Sequence, residues 1–227
     1  MAVTERSTED PTYLDLGQFS SRDEALAAIQ RENGFDKVAK KGLNAVITAG
    51  GEMTLLLAFF QASVTRSRAL YEGAAREAAH GNAHAVFTLI RQFAETLALV
   101  YYVADKPEYA KVVARRPRDR RPYDGKRKSP QALVDFMDRH HTAQFHLVYA
   151  ELCEMTHFGA PAMWASHDYG EDGSTIRWSS APQWRDDRQM FIACALLLEL
   201  ATGMEAALDE LAHSCVQEVH QATQPPP

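Results

Sequence analysis

The feature that most constrains the fold is a series of long stretches in which apolar residues recur every three or four positions. This is the spacing of one face of an α-helix, and it predicts amphipathic helices that share a core. The long helices are predicted at about 43–79, at 83–104, in a segment that ends at His157, and from near Trp184 to about 220. Shorter helices are predicted within 20–33, 107–116 and 130–139, where serine or proline stands at the expected start, and Asn82 is the expected cap of the long helix at 83–104.

Only one region alternates apolar and polar residues as a half-buried strand does. It lies on both sides of the turn-forming run 170–173, which predicts a small β-hairpin insert at about 162–180. We therefore predict an all-α fold, a bundle of four to five long helices with this one insert. The predicted organisation is a flexible N-terminal arm (1–20), a single helical-bundle domain (21–220) with a basic loop (115–128), and a disordered tail (221–227).

Composition narrows the class of protein. The chain has 227 residues, 46% of them hydrophobic, which suffices for a sizeable core, and a net charge of −6. The three cysteines, Cys153, Cys194 and Cys215, are widely spaced in helical patterns and are interpreted as small buried residues. Without a recognisable signal peptide, this composition favours a cytoplasmic protein. The apolar runs 43–64 and 190–204 each contain a glutamate, so we interpret them as core helices and expect no membrane contact.

Ionisable residues occur in the middle of the apolar stretches. Glu52, Glu95, Glu154 and Glu199 each stand among residues expected to face a core. Because a buried carboxylate is unfavourable unless it is paired, hydrogen-bonded or metal-bound, these four predict a shared polar centre. Arg91 is a visible partner, four residues before Glu95 on the same helix face. The pair would either fix the helix register as a structural ion pair or line a pocket.

A di-metal carboxylate site is a second interpretation of these glutamates. Such sites use a Glu and a His three residues apart on one helix face, a spacing found at Glu77/His80, Glu154/His157 and Glu210/His213. Three pairs are only a mild excess over chance, and their order departs from the ferritin-like alternation. We therefore expect no metal and no cofactor, and keep a di-metal enzyme as an alternative.

A strongly basic connector begins within the helical segment predicted at 107–116 and includes the basic loop. Residues 111–128 contain nine Lys or Arg residues and two Asp residues, a net charge of +7 in a chain of net charge −6. Such a loop, which also contains Tyr123, could track phosphates and stack on a base, or it could be a solvated connector. The candidate phosphate-binding residues are Arg115, Arg116, Arg118, Arg120, Arg121, Lys126, Arg127 and Lys128.

The next helical segment brings an arginine and a histidine to a spacing used in catalysis. Arg139 and His146 are separated by six residues and would lie two turns apart on one face of a continuous helix. The pair is similar to the Arg-x4–6-His motif of HEPN-type ribonucleases. In that chemistry the histidine moves a proton and the arginine stabilises the phosphorane charge, so both are candidate catalytic residues.

Two longer stretches carry a family resemblance. LIRQFAETLALVYYV (89–103) and YAELCEMTHFG (149–159), separated by a basic connector and followed by a hairpin and a last long helix, resemble a family of uncharacterised bacterial all-helical proteins. That group is similar in layout to HEPN domains, many of which act in phage defence. The resemblance implies a homodimer or other homo-oligomer and a polar centre formed by Arg91, Glu95, Glu154 and His157. No arginine precedes His157 at the HEPN spacing, a departure from the pattern.

These observations leave three hypotheses for function. The first is a HEPN-like helical protein that binds or cleaves RNA, or contacts a nucleotide, in bacterial stress or phage defence. The second is a non-enzymatic interaction module whose buried polar network only specifies packing. The third is the di-metal enzyme. The sequence leaves open whether the chain is an enzyme.

Overall fold

The computed structural model describes residues 19–31, 34–50, 52–115, 127–156, 167–169, 176–181 and 183–223. Within these ranges the chain is predominantly helical, which confirms the all-α class. The helices are α1 (Arg22–Gln30), α2 (Phe35–Thr48), α3 (Leu55–Ala79), α4 (Ala83–Asp105), α5 (Ala110–Ala114, preceded by the 3₁₀ turn Pro107–Tyr109), α6 (Pro130–His140), α7 (Phe145–Thr156) and α8 (Asp187–Thr223).

Side-chain caps fix several of the helix starts that the sequence predicts. Ser21 caps α1 by accepting from the Glu24 backbone N–H. The Asn82 side chain accepts from the Ala85 N–H at 3.2 Å and begins α4. Ser129 accepts from an N–H of the first turn of α6, whose first residue is a proline. Each cap satisfies a backbone donor that the helix itself leaves without a partner.

The predicted continuous helix at 43–79 is wrong, because two helices meet within it. Helix α2 ends at Thr48, and Gly50 adopts a left-handed backbone conformation with φ = +75°, which glycine tolerates without a steric cost. Helix α3 starts after Thr54, whose side chain accepts from the Leu57 N–H at 3.1 Å. Glu52 therefore lies exposed between the helices and not inside one of them.

The buried side chains form one contiguous core with α4 at its centre. Helix α4 packs against α3, α6, α7 and α8, and α8 also contacts α1, α2 and α3. Ile90 and Phe93 of α4 are fully buried, as is Leu208 of α8. Complete burial of each such side chain stabilises the fold by about 1.5–3 kcal/mol. Because the core covers part of the α4 surface, only the remaining part is available for polar contacts.

A pair of short antiparallel strands lies between α7 and α8. Strand β1 (His167–Tyr169) pairs with β2 (Ile176–Trp178). The rest of the β-hairpin predicted at 162–180, including its turn, lies largely outside the described residues, so the insert as a whole stays a prediction. In the predicted N-terminal arm, residues 1–18 lie outside the described ranges. Phe19 is buried, and its ring centroid lies 5.7 Å from that of Phe191. Helix α8 extends into the predicted tail, of which 224–227 lie outside them.

Among the described residues, two helices are long and apolar enough to cross a membrane by length and composition alone. They are Ala83–Asp105 and Asp187–Gln221, and 67% and 56% of their most apolar windows are buried within the fold. The core helix of a soluble protein meets the same criterion, so this is weak evidence, and the absence of membrane contact stays a prediction. The expected burial of the cysteines is confirmed for Cys194 and Cys215, and all three cysteines are free thiols.

Candidate anion-binding site

The predicted Arg91–Glu95 pair forms on α4 and extends to α7. Arg91 Nε donates to Glu95 Oε1 at 3.2 Å, and Tyr149 Oη donates to the same oxygen at 2.8 Å. Arg91 Nη1 also donates to Thr156 Oγ1 at 3.1 Å. The sequence gives no sign of Tyr149 or Thr156 as partners, because their proximity depends on how α4 and α7 cross. The network therefore ties the two helices together.

The electrostatics of this network favour a structural role. Burial and the hydrogen bond to Glu95 raise the pKa of Tyr149 to about 12. Desolvation lowers the pKa of Arg91, but the hydrogen bond with Tyr149 and the nearby negative charges outweigh it, so that the net shift is upward. Tyr149 thus stays a phenol and Arg91 a cation at neutral pH. Neither group can serve as a general base there.

The other glutamates of the predicted polar centre do not join this network. Glu154 and Glu199 are exposed, as is Glu52. In α7 the fully buried neighbour is Leu152, so Glu154 two residues later points away from the core. The prediction of a centre shared by four carboxylates is therefore wrong. His157 lies outside the described residues.

The Glu-x-x-His pairs do not assemble a metal site within the described residues. Glu77 accepts from the Asn82 side chain at 2.8 Å, and His80 contacts the Arg76 carbonyl. Glu210 and His213 are both exposed on α8. The described part of the chain contains no group of three or more His, Cys, Asp or Glu side chains that could hold a metal ion.

The expectation that Arg139 and His146 share one helix face is wrong. Arg139 lies in the last turn of α6 and His146 in the first turn of α7. Between the helices, Gln144 adopts φ = +70°, a conformation that interrupts a helix. Arg139 Nε donates to the carbonyl of Asp135 on its own helix at 2.9 Å.

His146 has a different partner that the sequence did not suggest. Its ring Nδ1 is hydrogen-bonded to Asp138 Oδ2, and its backbone N–H donates to Asp138 Oδ1 at 3.0 Å. Asp138 therefore caps α7 from the end of α6. It also orients the exposed imidazole of His146.

The described ends of the basic connector lie against the helical core. Arg127 Nη2 donates to the Val113 carbonyl at 2.5 Å, and the Lys128 N–H donates to Tyr109 Oη at 2.5 Å. Lys128 Nζ lies 5.9 Å from the Tyr102 ring centroid, within the range of a cation–π contact. Arg115 is also described, whereas Arg116, Arg118, Arg120, Arg121 and Lys126 lie outside the described residues.

A cavity of about 550 Å³ opens between α3, α4, α5 and the start of α6. This volume is within the range of about 300–1,000 Å³ typical of small-molecule sites. Its apolar walls are formed by Phe59, Leu99, Val100, Val113 and Leu133. Three cations, Arg66, Arg127 and Lys128, also line it, together with a single carboxylate, Glu95. Glu95 already accepts from Arg91 and Tyr149, so the cavity has a surplus of positive charge.

The three cations are positioned without neutralising partners in the described part of the chain. Arg66 Nε donates to Thr96 Oγ1 at 3.2 Å, and the Thr96 hydroxyl in turn donates to the Gln92 carbonyl at 2.7 Å. Among the described residues, no carboxylate lies within 4 Å of the charged groups of Arg66, Arg127 or Lys128. Arg66 is exposed, as is typical of an arginine on an amphipathic helix, so nothing in the sequence indicated that it lines a cavity.

Comparisons with known proteins add no relative. Models of known protein families give no match, and neither curated proteins nor solved structures give a significant one. The resemblance to HEPN-like bacterial proteins, with the activity and partners it implies, therefore stays a prediction.

Proposed function

We propose that this protein binds single-stranded RNA, with phosphates held by Arg66, Arg127 and Lys128 and one nucleotide seated in the cavity that they line. The observation that carries the proposal is this cavity, in which three cations face apolar walls. Phosphate oxygens suit the cations, and a base suits apolar and aromatic walls. Tyr109, which also lines the cavity, adds an aromatic surface.

The position of the cavity on the chain favours RNA over a small anion. Arg127 and Lys128 are the last residues of the basic connector, whose net charge of +7 contrasts with the acidic remainder of the chain. A nucleic-acid backbone can contact the connector and the cavity together, whereas a single small anion occupies one point. Such a strand would gain affinity from each phosphate that a Lys or Arg neutralises.

We propose binding alone, because the cavity does not include the catalytic candidates. Arg139 and His146 lie on different helices, and neither lines the cavity. A role in bacterial stress or phage defence rests on the family resemblance alone.

The test is fluorescence anisotropy with an end-labelled single-stranded RNA. Reversal of two of the three cavity-lining cations, Arg127→Glu with Lys128→Glu, should weaken binding about 10-fold or more and flatten the salt dependence, since each phosphate contact contributes about −0.7 to the slope of log K against log salt. The matched control is Lys37→Glu with Lys40→Glu, the same change in charge on α2, which does not line the cavity. Equal weakening by both pairs of substitutions would show that RNA affinity depends only on the net charge of the protein, and would contradict the proposed site.

A second candidate function, the interaction module, is favoured by an exposed apolar patch. Ile47, Met53 and Leu55 cluster around the turn between α2 and α3 and are 61%, 67% and 43% exposed. Such a patch is typical of an association surface, and it agrees with the expected homo-oligomer. If so, Ile47→Asp should lower the mass measured by light scattering. An unchanged mass, whether monomeric or oligomeric, would remove this patch from consideration.

A further inference from the structure

A second, smaller cavity lies between α4, the turn from α6 to α7, and α8. Its volume is about 130 Å³, and it shares no lining residue with the cation-lined cavity. The walls are apolar and come from buried side chains, chiefly Leu97, Met137, Phe145, Leu196 and Leu200. Apolar cavities of about 150 Å³ are known to hold a benzene ring. The space therefore suits a compact hydrocarbon group of about that size.

One charged residue borders this apolar space. Among the described residues that line the cavity, Glu199 is the only charged side chain, and it is exposed to solvent. The other polar side chains that line the cavity are those of Tyr101, Thr142 and Gln144. A carboxylate at the mouth of an apolar cavity favours a ligand that has both a hydrocarbon group and a cationic group. The hydrocarbon group is buried in the cavity, and the cation stays at the mouth beside the carboxylate.

A glycine in α8 contributes to the open space. Gly203 lines the cavity in the interior of a long helix, where glycine is less stable than alanine. A Cβ added there would lie 3.4 Å from Leu97 Cδ2, an ordinary van der Waals contact, so alanine would fit. Packing thus does not require the glycine, and its missing side chain keeps that side of the cavity empty.

The turn that lines the cavity is also held in an unusual conformation. Gln144 has φ = +70°, the only positive φ at a non-glycine residue in the described chain. Residues in this region are disfavoured and tend to cluster at ligand sites. Here the conformation places Ala143, Gln144 and Phe145 together along the cavity wall.

We infer that this cavity binds a small primary amine with a compact hydrophobic group, the hydrocarbon seated among Leu97, Met137 and Phe145 and the ammonium facing Glu199. The site is independent of the proposed RNA binding. It requires neither the connector nor any cation of the larger cavity.

Benzylamine is the probe, and benzyl alcohol is its uncharged counterpart. In isothermal titration calorimetry of the full chain, we expect benzylamine to bind with a Kd on the order of 1 mM or lower, as suits a ligand of so few atoms. Glu199→Gln should weaken benzylamine about 2- to 5-fold and leave benzyl alcohol unchanged, because only the charge of an exposed carboxylate is lost. Failure of benzylamine to bind, or equal weakening of both compounds, would overturn the assignment.

Two glycine variants separate the cavity from general changes in stability. Gly203→Ala should weaken both compounds, because the new methyl group occupies space that the ligand needs. Gly73→Ala is the matched control, since a Cβ there would also lie 3.4 Å from a leucine methyl group, that of Leu89, on a helix outside the cavity. Both variants should melt at or above the wild-type temperature. Benzylamine affinity that is the same in both variants would overturn the proposed position of the ligand.

Discussion

Replacing Arg91 with alanine removes the cation that joins α4 to α7, and the structure sets the expected loss of stability. A fully buried ion pair broken on one side costs about 3–5 kcal/mol. Here, however, the two side chains are 24% and 30% exposed, and Glu95 keeps its hydrogen bond from Tyr149. The remaining losses are an i,i+4 pair of about 0.5 kcal/mol and the bond to Thr156 of about 1 kcal/mol. The contact of the guanidinium with the Tyr149 ring, at 5.8 Å, adds about 0.5 kcal/mol.

We therefore expect Arg91→Ala to lower the free energy of unfolding by about 2 kcal/mol, measured by urea denaturation followed by circular dichroism. Arg68→Ala is the matched control, since Arg68 also pairs with a glutamate four residues later, Glu72, and also contacts a second helix through Asp36, but all three side chains are about half exposed. It should cause a smaller loss. Equal losses in the two variants would show that the tie between α4 and α7 contributes no more than an exposed pair between two helices. A loss above about 4 kcal/mol would show that Glu95 is left as a buried, unpaired charge, contrary to the geometry.

Two further predictions concern packing and pH. Gly42→Ala should destabilise the fold by about 1–3 kcal/mol in the same urea assay, because the added Cβ would lie 2.8 Å from both Ala212 Cβ and Phe60 Cζ. Wild-type stability of this variant would show that α2, α3 and α8 can move apart without cost. Asp138→Asn should destabilise at pH 7, and the loss should shrink as the pH falls below 3.8. Burial raises the pKa of the Asp138 carboxyl, but hydrogen bonds from the His146 backbone and ring outweigh this and hold it below its ordinary value of 3.8. The stabilisation is therefore present above that value and is lost as the pH falls through the folded-state pKa; a difference from wild type that stayed constant as the pH fell below 3.8 would contradict this.

The helix starts could be predicted because their signals are local. Ser21, Asn82 and Ser129 each satisfy an N–H within three residues, so the sequence itself contains both partners. The break between α2 and α3 was missed although Gly50 and Thr54 mark it locally, because the apolar stretches on either side were interpreted as one run. In such a run, hydrophobic periodicity outweighs the weaker local signal.

The candidate site could be predicted only in part, because it depends on contacts between distant segments. Arg91 and Glu95 are four residues apart and were found, whereas the contact of Arg66 with Thr96 joins residues 30 apart. The break between Arg139 and His146 has no glycine or proline to mark it. No spacing rule shows which face of α3 will meet the end of the basic connector.

RNA binding is tested most directly by locating the residues that a bound RNA contacts. Single-stranded RNA containing 4-thiouridine can be crosslinked by ultraviolet light and the attached peptides identified by mass spectrometry. We expect crosslinks in the peptides that line the cation-lined cavity, above all at Tyr109 and next to Arg127 and Lys128. Crosslinks confined to α1 and α2, or their absence at concentrations where anisotropy reports binding, would contradict it.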